Sequence, residues 1–422
     1  MDYRKTMKML PRFCLYGFLK NQKYYEPFFI LALRERGLDF FTIGLLVGFR
    51  QVLVNLFEIP SGFAADAFGR RKAMVFSFGA YIISFGFFAF ASPLWSLFLA
   101  MTFFALGEAF RTGTHKAMIF EWLEKEGRSG ERTQVYGITR SWSQVGAAVS
   151  SLLAALAVIG TQNYSVVFAL STLPYVVNIA NILSYPRYLE GEWAQTKKSP
   201  DRADKTTAKS LFRQFFQVLL QTLKNRPLRR LFTESALSKG NATLAKDYVQ
   251  PMLESAAMAL PLLLMWEDKR RAGLLVGAVY ALLSLLSGLA SRGAHAFMKS
   301  SGGAQAASRK IWAGYTFAFA LGMIALLSGY PGLAAMTLVM VIILQNTWRP
   351  ILMGRIDAVS DGASGATILS VDSQASSFYV MVAAPLLGWL VDRYGLVPVA
   401  FFGFLTSGVM YGRALLSRKV KA

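Results

Sequence analysis

Gly62-Phe63-Ala64-Ala65-Asp66-Ala67-Phe68-Gly69-Arg70-Arg71-Lys72 stands between two apolar runs, residues 41–61 and 73–91. Each run has the roughly 20 residues that a helix needs to cross a hydrocarbon core ~30 Å thick. The glycines permit a tight turn and a close approach of the flanking helices. Asp66 is suited to accept hydrogen bonds from a helix N-terminus or to pair with an arginine. Arg70, Arg71 and Lys72 put a basic cluster on one side of whatever the two runs cross.

The same pattern extends in both directions. Twelve apolar runs are legible: 13–33, 41–61, 73–91, 94–122, 134–159, 164–185, 228–264, 272–290, 311–329, 332–353, 365–390 and 396–413. They are continuous rather than alternating, so they predict membrane-spanning helices and not barrel strands. Ser92-Pro93, Tyr330-Pro331-Gly332 and Asp361-Gly362 punctuate the runs. Run 228–264 is too long for a straight span, and Pro251 and Pro261 are expected to kink or end it.

Composition agrees. Only 16% of the 422 residues are charged and 54% are hydrophobic, against about 25% charge in soluble domains. The net charge of +21 is dispersed in short clusters between the runs, which argues against a nucleic-acid partner. One cysteine, Cys14, and two histidines, His115 and His295, leave no disulfide framework and no zinc cluster. No cofactor is expected. The basic N-terminus lacks a cleavage site, so the first run is read as an uncleaved helix.

The longest polar stretch, 186–227, is read as a linker between an N-terminal six-helix bundle, 1–185, and a C-terminal one, 228–422. With the N-terminus in the cytoplasm, about 30 Lys and Arg fall on the inner side. Arg34, Arg36, Lys269, Arg270, Arg271 and Arg393 fall on the outer side. Both termini are therefore expected in the cytoplasm, in a bacterial inner membrane. Lys20, Lys23, Arg50, Arg111, Lys116, Arg140, Lys239, Lys246 and Arg349 remain inside the spans, where charge is costly and usually functional.

The 62–72 loop, placed between the second and third spans on the basic side, resembles the signature loop of the major facilitator superfamily. The resemblance implies an all-α polytopic fold with twelve transmembrane helices in two pseudo-symmetric six-helix bundles. It also implies a substrate site between the bundles near the midplane, lined by spans 1, 4, 7 and 10, with spans 3, 6, 9 and 12 facing lipid. Those four lipid-facing spans carry no charge across their cores, and neither does span 8. In the second half, the loop from Ser291-Arg292-Gly293-Ala294 lacks the aspartate and the paired basics. Gly388-Trp389-Leu390-Val391-Asp392-Arg393-Tyr394-Gly395 looks like the motif but falls on the outer side, so it is read as a helix end.

On that implication the central spans offer Lys20, Asn21, Lys23, Tyr24 and Glu26; Glu108, Arg111, Thr112 and His115; Lys239, Asn241, Lys246, Asp247 and Tyr248; and Gln345, Asn346 and Arg349. Six basic residues face three acids. A cationic cavity in low dielectric attracts anions, so an anionic or zwitterionic solute is expected. Against this, Lys23 with Glu26 and Glu108 with Arg111 are spaced to neutralise one another on a helix. Glu26, Glu108 and Asp247 are candidates for proton coupling, because burial raises a carboxylate's pKa. The family often has an arginine in helix 4 linked to coupling, but Arg111-Thr112-Gly113-Thr114-His115 departs from that motif. Glu58, Gly62, Asp66, Gly69, Arg70, Arg71, Glu121 and Arg140 are assigned to gating, some as an inner charge network.

The expected activity is secondary active transport by alternating access. A lipid or lysolipid flippase and a drug/proton antiporter are alternatives. A membrane-embedded enzyme is disfavoured, since no nucleophile elbow, phosphate-binding glycine loop or HExxH appears. The expected partners are a small-molecule or lipid substrate and the membrane lipids, with the protein a monomer.

Overall fold

The helix α1, Met9–Lys20, begins the chain that the computed structural model describes over residues 9–91, 93–190, 225–261, 264–359 and 365–416, with backbone alone at 59, 63, 66, 67, 133 and 365–370. Next come α2 (Phe29–Glu35), α3 (Phe40–Phe68), α4 (Arg70–Phe90), α5 (Leu94–Arg111) and α6 (Thr114–Lys125). Then follow α7 (Arg132–Thr161), α8 (Val166–Leu183), α9 (Arg226–Ala259) and α10 (Asp268–Ser300). The last four are α11 (Ala304–Leu327), α12 (Pro331–Asp357), α13 (Gly365–Tyr394) and α14 (Val397–Leu416). There is no strand among the described residues.

Among the described residues, fourteen α-helices make twelve spans because two spans are broken. Span 1 divides into α1 and α2 around Asn21-Gln22-Lys23-Tyr24-Tyr25, ahead of Pro27, whose ring cannot continue the preceding turn. The groups freed by the break are satisfied. The Asn21 amide donates to the Gly17 carbonyl at 2.8 Å, and the Ile30 amide donates to Gln250 Oε1 at 2.8 Å. Span 4 divides into α5 and α6 at Gly113, whose φ of 81° favours glycine. The hydroxyls of Thr112 and Thr114 donate to the carbonyls of Glu108 and Phe110, both at 2.9 Å.

Ten helices are long and apolar enough to cross a membrane. Span 1 falls short because it is broken, and α9 because it is too polar. Several boundaries differ from the sequence reading. Helix α9 runs through Pro251 and ends at Ala259, ahead of Pro261. Helix α10 continues through 291–300, which was expected to be a loop, and the turn lies instead at Gly302-Gly303 with φ of 87° and 104°. Nothing in Ser291–Ser300 breaks a helix until that glycine pair. The Asp361-Gly362 turn and most of the 186–227 linker lie outside the described residues.

The described residues fall into two compact units. One lies within Met1–Glu26, Phe49–Ala157 and Ser165–Arg213, the other within Pro27–Gly48, Val158–Tyr164 and Gln214–Ala422. In the first, α4 packs on α5 and α8 around an aromatic core. Tyr81 meets Phe104 edge-on at 5.0 Å and Phe85 meets Tyr175 at 5.1 Å, a geometry the ring quadrupoles favour. In the second, α9 packs on α12 and α13, and α11 on α12 and α14. Spans 3, 6, 9 and 12 expose large apolar side chains, among them Ile83, Val176, Ile324 and Leu405, as lipid contact requires.

Candidate functional site

One close helix crossing, with a glycine on each side, builds the site in the first unit. A Cβ at Gly17 would lie 2.8 Å from the Thr139 carbonyl oxygen, and one at Gly146 would overlap the backbone of Phe18. These glycines let α1 lie directly on α7. Gln22 fastens the crossing by donating to the Gly146 carbonyl at 3.1 Å. The α5–α6 break closes the third side.

Together they enclose a cavity of about 390 Å³ lined by Phe13, Tyr16, Lys20, Asn21, Arg111, His115, Lys116, Tyr136 and Arg140, among others. The residues on each helix recur at three to four positions, which puts them on one face. That spacing is the signal by which Phe13, Tyr16, Tyr136, Thr139 and Ser143 were open to recognition. They carry no charge, so a search for charged residues passes over them.

The lining contains two lysines and two arginines and no carboxylate. Lys20 lies within electrostatic reach of Arg111, Lys23 and Arg140. The Arg111 guanidinium faces the hydroxyls of Tyr81 and Tyr16, and Glu108 lies within its electrostatic reach. His115 stacks on Tyr16 with ring centroids 3.5 Å apart. Its Nε2 lies 3.2 Å from the Tyr185 hydroxyl, which itself donates to the Arg12 carbonyl at 3.2 Å. Lys116 lies over the rings of Phe120 and Tyr136, 5.3 and 5.5 Å from their centroids.

The remaining expected site residues are distributed as follows. Lys20, Asn21, Arg111 and His115 share the cavity, and Arg140, assigned from sequence to gating, lines it too. Lys23 and Glu26 pair at 3.9 Å. Tyr24 is half-buried. In the second unit Lys239, Lys246 and Asp247 are half-buried along α9. Asn241 donates to Thr406 Oγ1 at 2.9 Å and accepts from the Tyr379 hydroxyl. Gln345 accepts from Tyr315 at 2.9 Å and Asn346 donates to Ser287 at 3.2 Å. Arg349 donates to the fully buried Asp372 at 2.6 Å and to Ser235 at 3.0 Å. Asp372 was not among the expected residues. Neither was the buried Glu234, which holds Arg355 at 2.7 Å and Arg230 at 3.4 Å.

Around the 62–72 turn, α3 ends at Phe68 and α4 begins at Arg70, with Gly69 at φ 105° making the whole connection. Arg70 pairs with Glu121 at 2.8 Å, and Lys125 joins the same carboxylate at 3.3 Å. Arg71 donates to the Tyr185 carbonyl at 2.8 Å and lies 3.7 Å from Glu190. Gly62 is exposed and Glu58 half-buried, and the Asp66 side chain is outside the described residues.

A family model described as Major Facilitator Superfamily matches residues 21–371. The uncharacterized MFS-type transporter YxaM of Bacillus subtilis (strain 168) is 32% identical over 90 residues, 21% of this chain and 23% of that protein. The aligned part is thus under a quarter of that relative's length. Among solved structures, a mutant of the nucleoside transporter NupG superposes with a TM-score of 0.77 at 12% identity, over 96% of this chain and 99% of that one. A POT family transporter in complex with 5-aminolevulinic acid superposes with a TM-score of 0.71 at 14% identity, over 97% and 96%. At such identities the likeness shows the fold alone.

Proposed function

The chain belongs to the Major Facilitator Superfamily, and on that premise we propose that it moves a small anionic or zwitterionic solute by alternating access, binding it in the cavity of α1, α5, α6 and α7. It is a multi-pass membrane transporter and not an enzyme. One observation carries the choice of solute: Lys20, Arg111, Lys116 and Arg140 line that cavity without a carboxylate among them. A cluster of cations without ion-pair partners, two of them half-buried, favours an incoming anion. A carboxylate-bearing zwitterion such as the 5-aminolevulinic acid bound by the POT relative belongs to the same chemical class.

Glu108 is our coupling residue for this site. Glu108 lies within electrostatic reach of Arg111, so a proton taken up there would strengthen the field on the solute and link proton and anion binding. Glu26 and Asp247 are the further candidates. With both termini in the cytoplasm, the Gly69 turn and the Arg70–Glu121 and Arg71–Glu190 pairs lie at the inner end and serve as the gate.

The test is a thermal-shift screen of detergent-purified protein against anionic, zwitterionic and cationic solutes and lipids, with Arg111→Ala alongside. A ligand stabilises whatever state it binds. An anion or zwitterion that raises the melting temperature of the wild type but not of Arg111→Ala is the expected result. Stabilisation by cations or neutral drugs alone would contradict the reading, and stabilisation by lipid alone would replace the soluble solute with a lipid one.

A further inference from the structure

Resting on the anion-transport reading, we infer that the cavity selects an anion carrying two negative charges on one compact oxyanion group, of the phosphate-monoester type, over singly charged anions of the same shape. The first support is a contrast within the molecule. Arg70, Arg71, Arg349 and Arg355 each hold a carboxylate within 4.0 Å. Among the described residues, Lys20, Arg111, Lys116 and Arg140 make no such pair. Of these, Lys20 and Arg111 are half-buried and Lys116 and Arg140 exposed, and charges drawn even partly out of bulk water are ordinarily paired. Here the structure gathers four in one cavity and leaves their compensation to something else.

The second support is the charge count. Lys20 feels Arg111 and Arg140 as like charges, and His115 feels Lys20 and Arg111. Glu108 offsets Arg111 in part. A single negative charge leaves most of this repulsion standing, whereas two charges on one group answer it. The third support is geometry. Two arginines present planar forks that match tetrahedral oxyanions. The cavity, at about 390 Å³, exceeds what a bare ion fills. The stacked Tyr16–His115 pair and Phe13 give the remaining space an aromatic wall, so a small organic body attached to the oxyanion fits.

The experiment compares three probes on the full-length protein in detergent at pH 8, reading intrinsic tryptophan fluorescence. Ethyl phosphate is a dianion there, since phosphate monoesters have a second pKa near 6. Diethyl phosphate and ethanesulfonate are monoanions, and diethyl phosphate also stands for the phosphodiester headgroup of common lipids. We expect ethyl phosphate to bind at least about tenfold more tightly than either monoanion, and Lys20→Gln to reduce that ratio to near one. Arg140→Gln, at an exposed position on α7, is the second variant with the same expectation should Lys20→Gln fail to fold. Equal affinity for the three probes, or binding by none, would overturn the inference. A monoanion that binds as tightly as ethyl phosphate and is lost in Arg111→Ala would overturn the charge selectivity alone and leave anion transport standing.

Discussion

Arg349 shows how differently one residue reads alone and in its packing. Counted along the sequence it is a free cation in a central span. In the fold it donates to Asp372, 23 residues away on the following helix, at 2.6 Å. No local spacing announces that pair, nor Glu234 with Arg355, 121 positions apart. Lys23 with Glu26 was expected from a three-residue helical spacing, and the two do pair, but across the break between α1 and α2. Removing one member of a buried pair leaves the other charge uncompensated. Asp372→Asn should therefore destabilise the protein by about 3 kcal/mol, seen as a clear drop in melting temperature. Adding Arg349→Met should recover part of it. A melting temperature unchanged by Asp372→Asn would mean the pair contributes nothing. Lys20 has no such acid, so Lys20→Met should leave the ligand-free melting temperature unchanged or raise it, the opposite direction from Asp372→Asn.

Elements add what residues cannot. The twelve runs were legible because a bilayer sets their length, but the two breaks were not. The α1–α2 interruption is short enough to vanish inside an apolar run, and Gly113 is one glycine among 35. Its left-handed conformation aims α6 so that His115 lies on Tyr16. Gly113→Ala meets open space, so its effect is backbone strain of about 1 kcal/mol. We expect it to weaken anion binding more than it lowers the melting temperature, and an unchanged affinity would argue that the break does not position the site. The Gly388–Gly395 segment was read from sequence as a helix end, and α13 does end there at Tyr394; it also holds the start of α3. Asp392 accepts from the amides of Phe40 and Phe41 at 2.9 and 2.8 Å, and Asp39 accepts from Thr42 at 2.8 Å. A Cβ at Gly388 would overlap the Phe40 backbone. A carboxylate on α13 thus satisfies amides that α3 leaves unpaired. In Asp392→Ala, amide exchange across residues 40–43 should accelerate about tenfold. Unchanged exchange would show that Asp392 does not hold this end.

At the scale of the whole molecule, the order of spans and the signature turn at Gly69 are consequences of a chain that crosses a bilayer repeatedly. They were readable for that reason. The distribution of charge between paired and unpaired cations was not, because it depends on which helices meet. On the proposed function, that distribution is what makes this transporter fold select anions. It is tested most directly by charge movement in proteoliposomes on a solid-supported membrane, comparing wild type with Lys20→Gln/Arg111→Gln as anions and cations are applied in turn. We predict a saturable current on adding an anionic solute, absent from the double variant. Currents evoked only by cations, or anion currents that persist in the double variant, would contradict it.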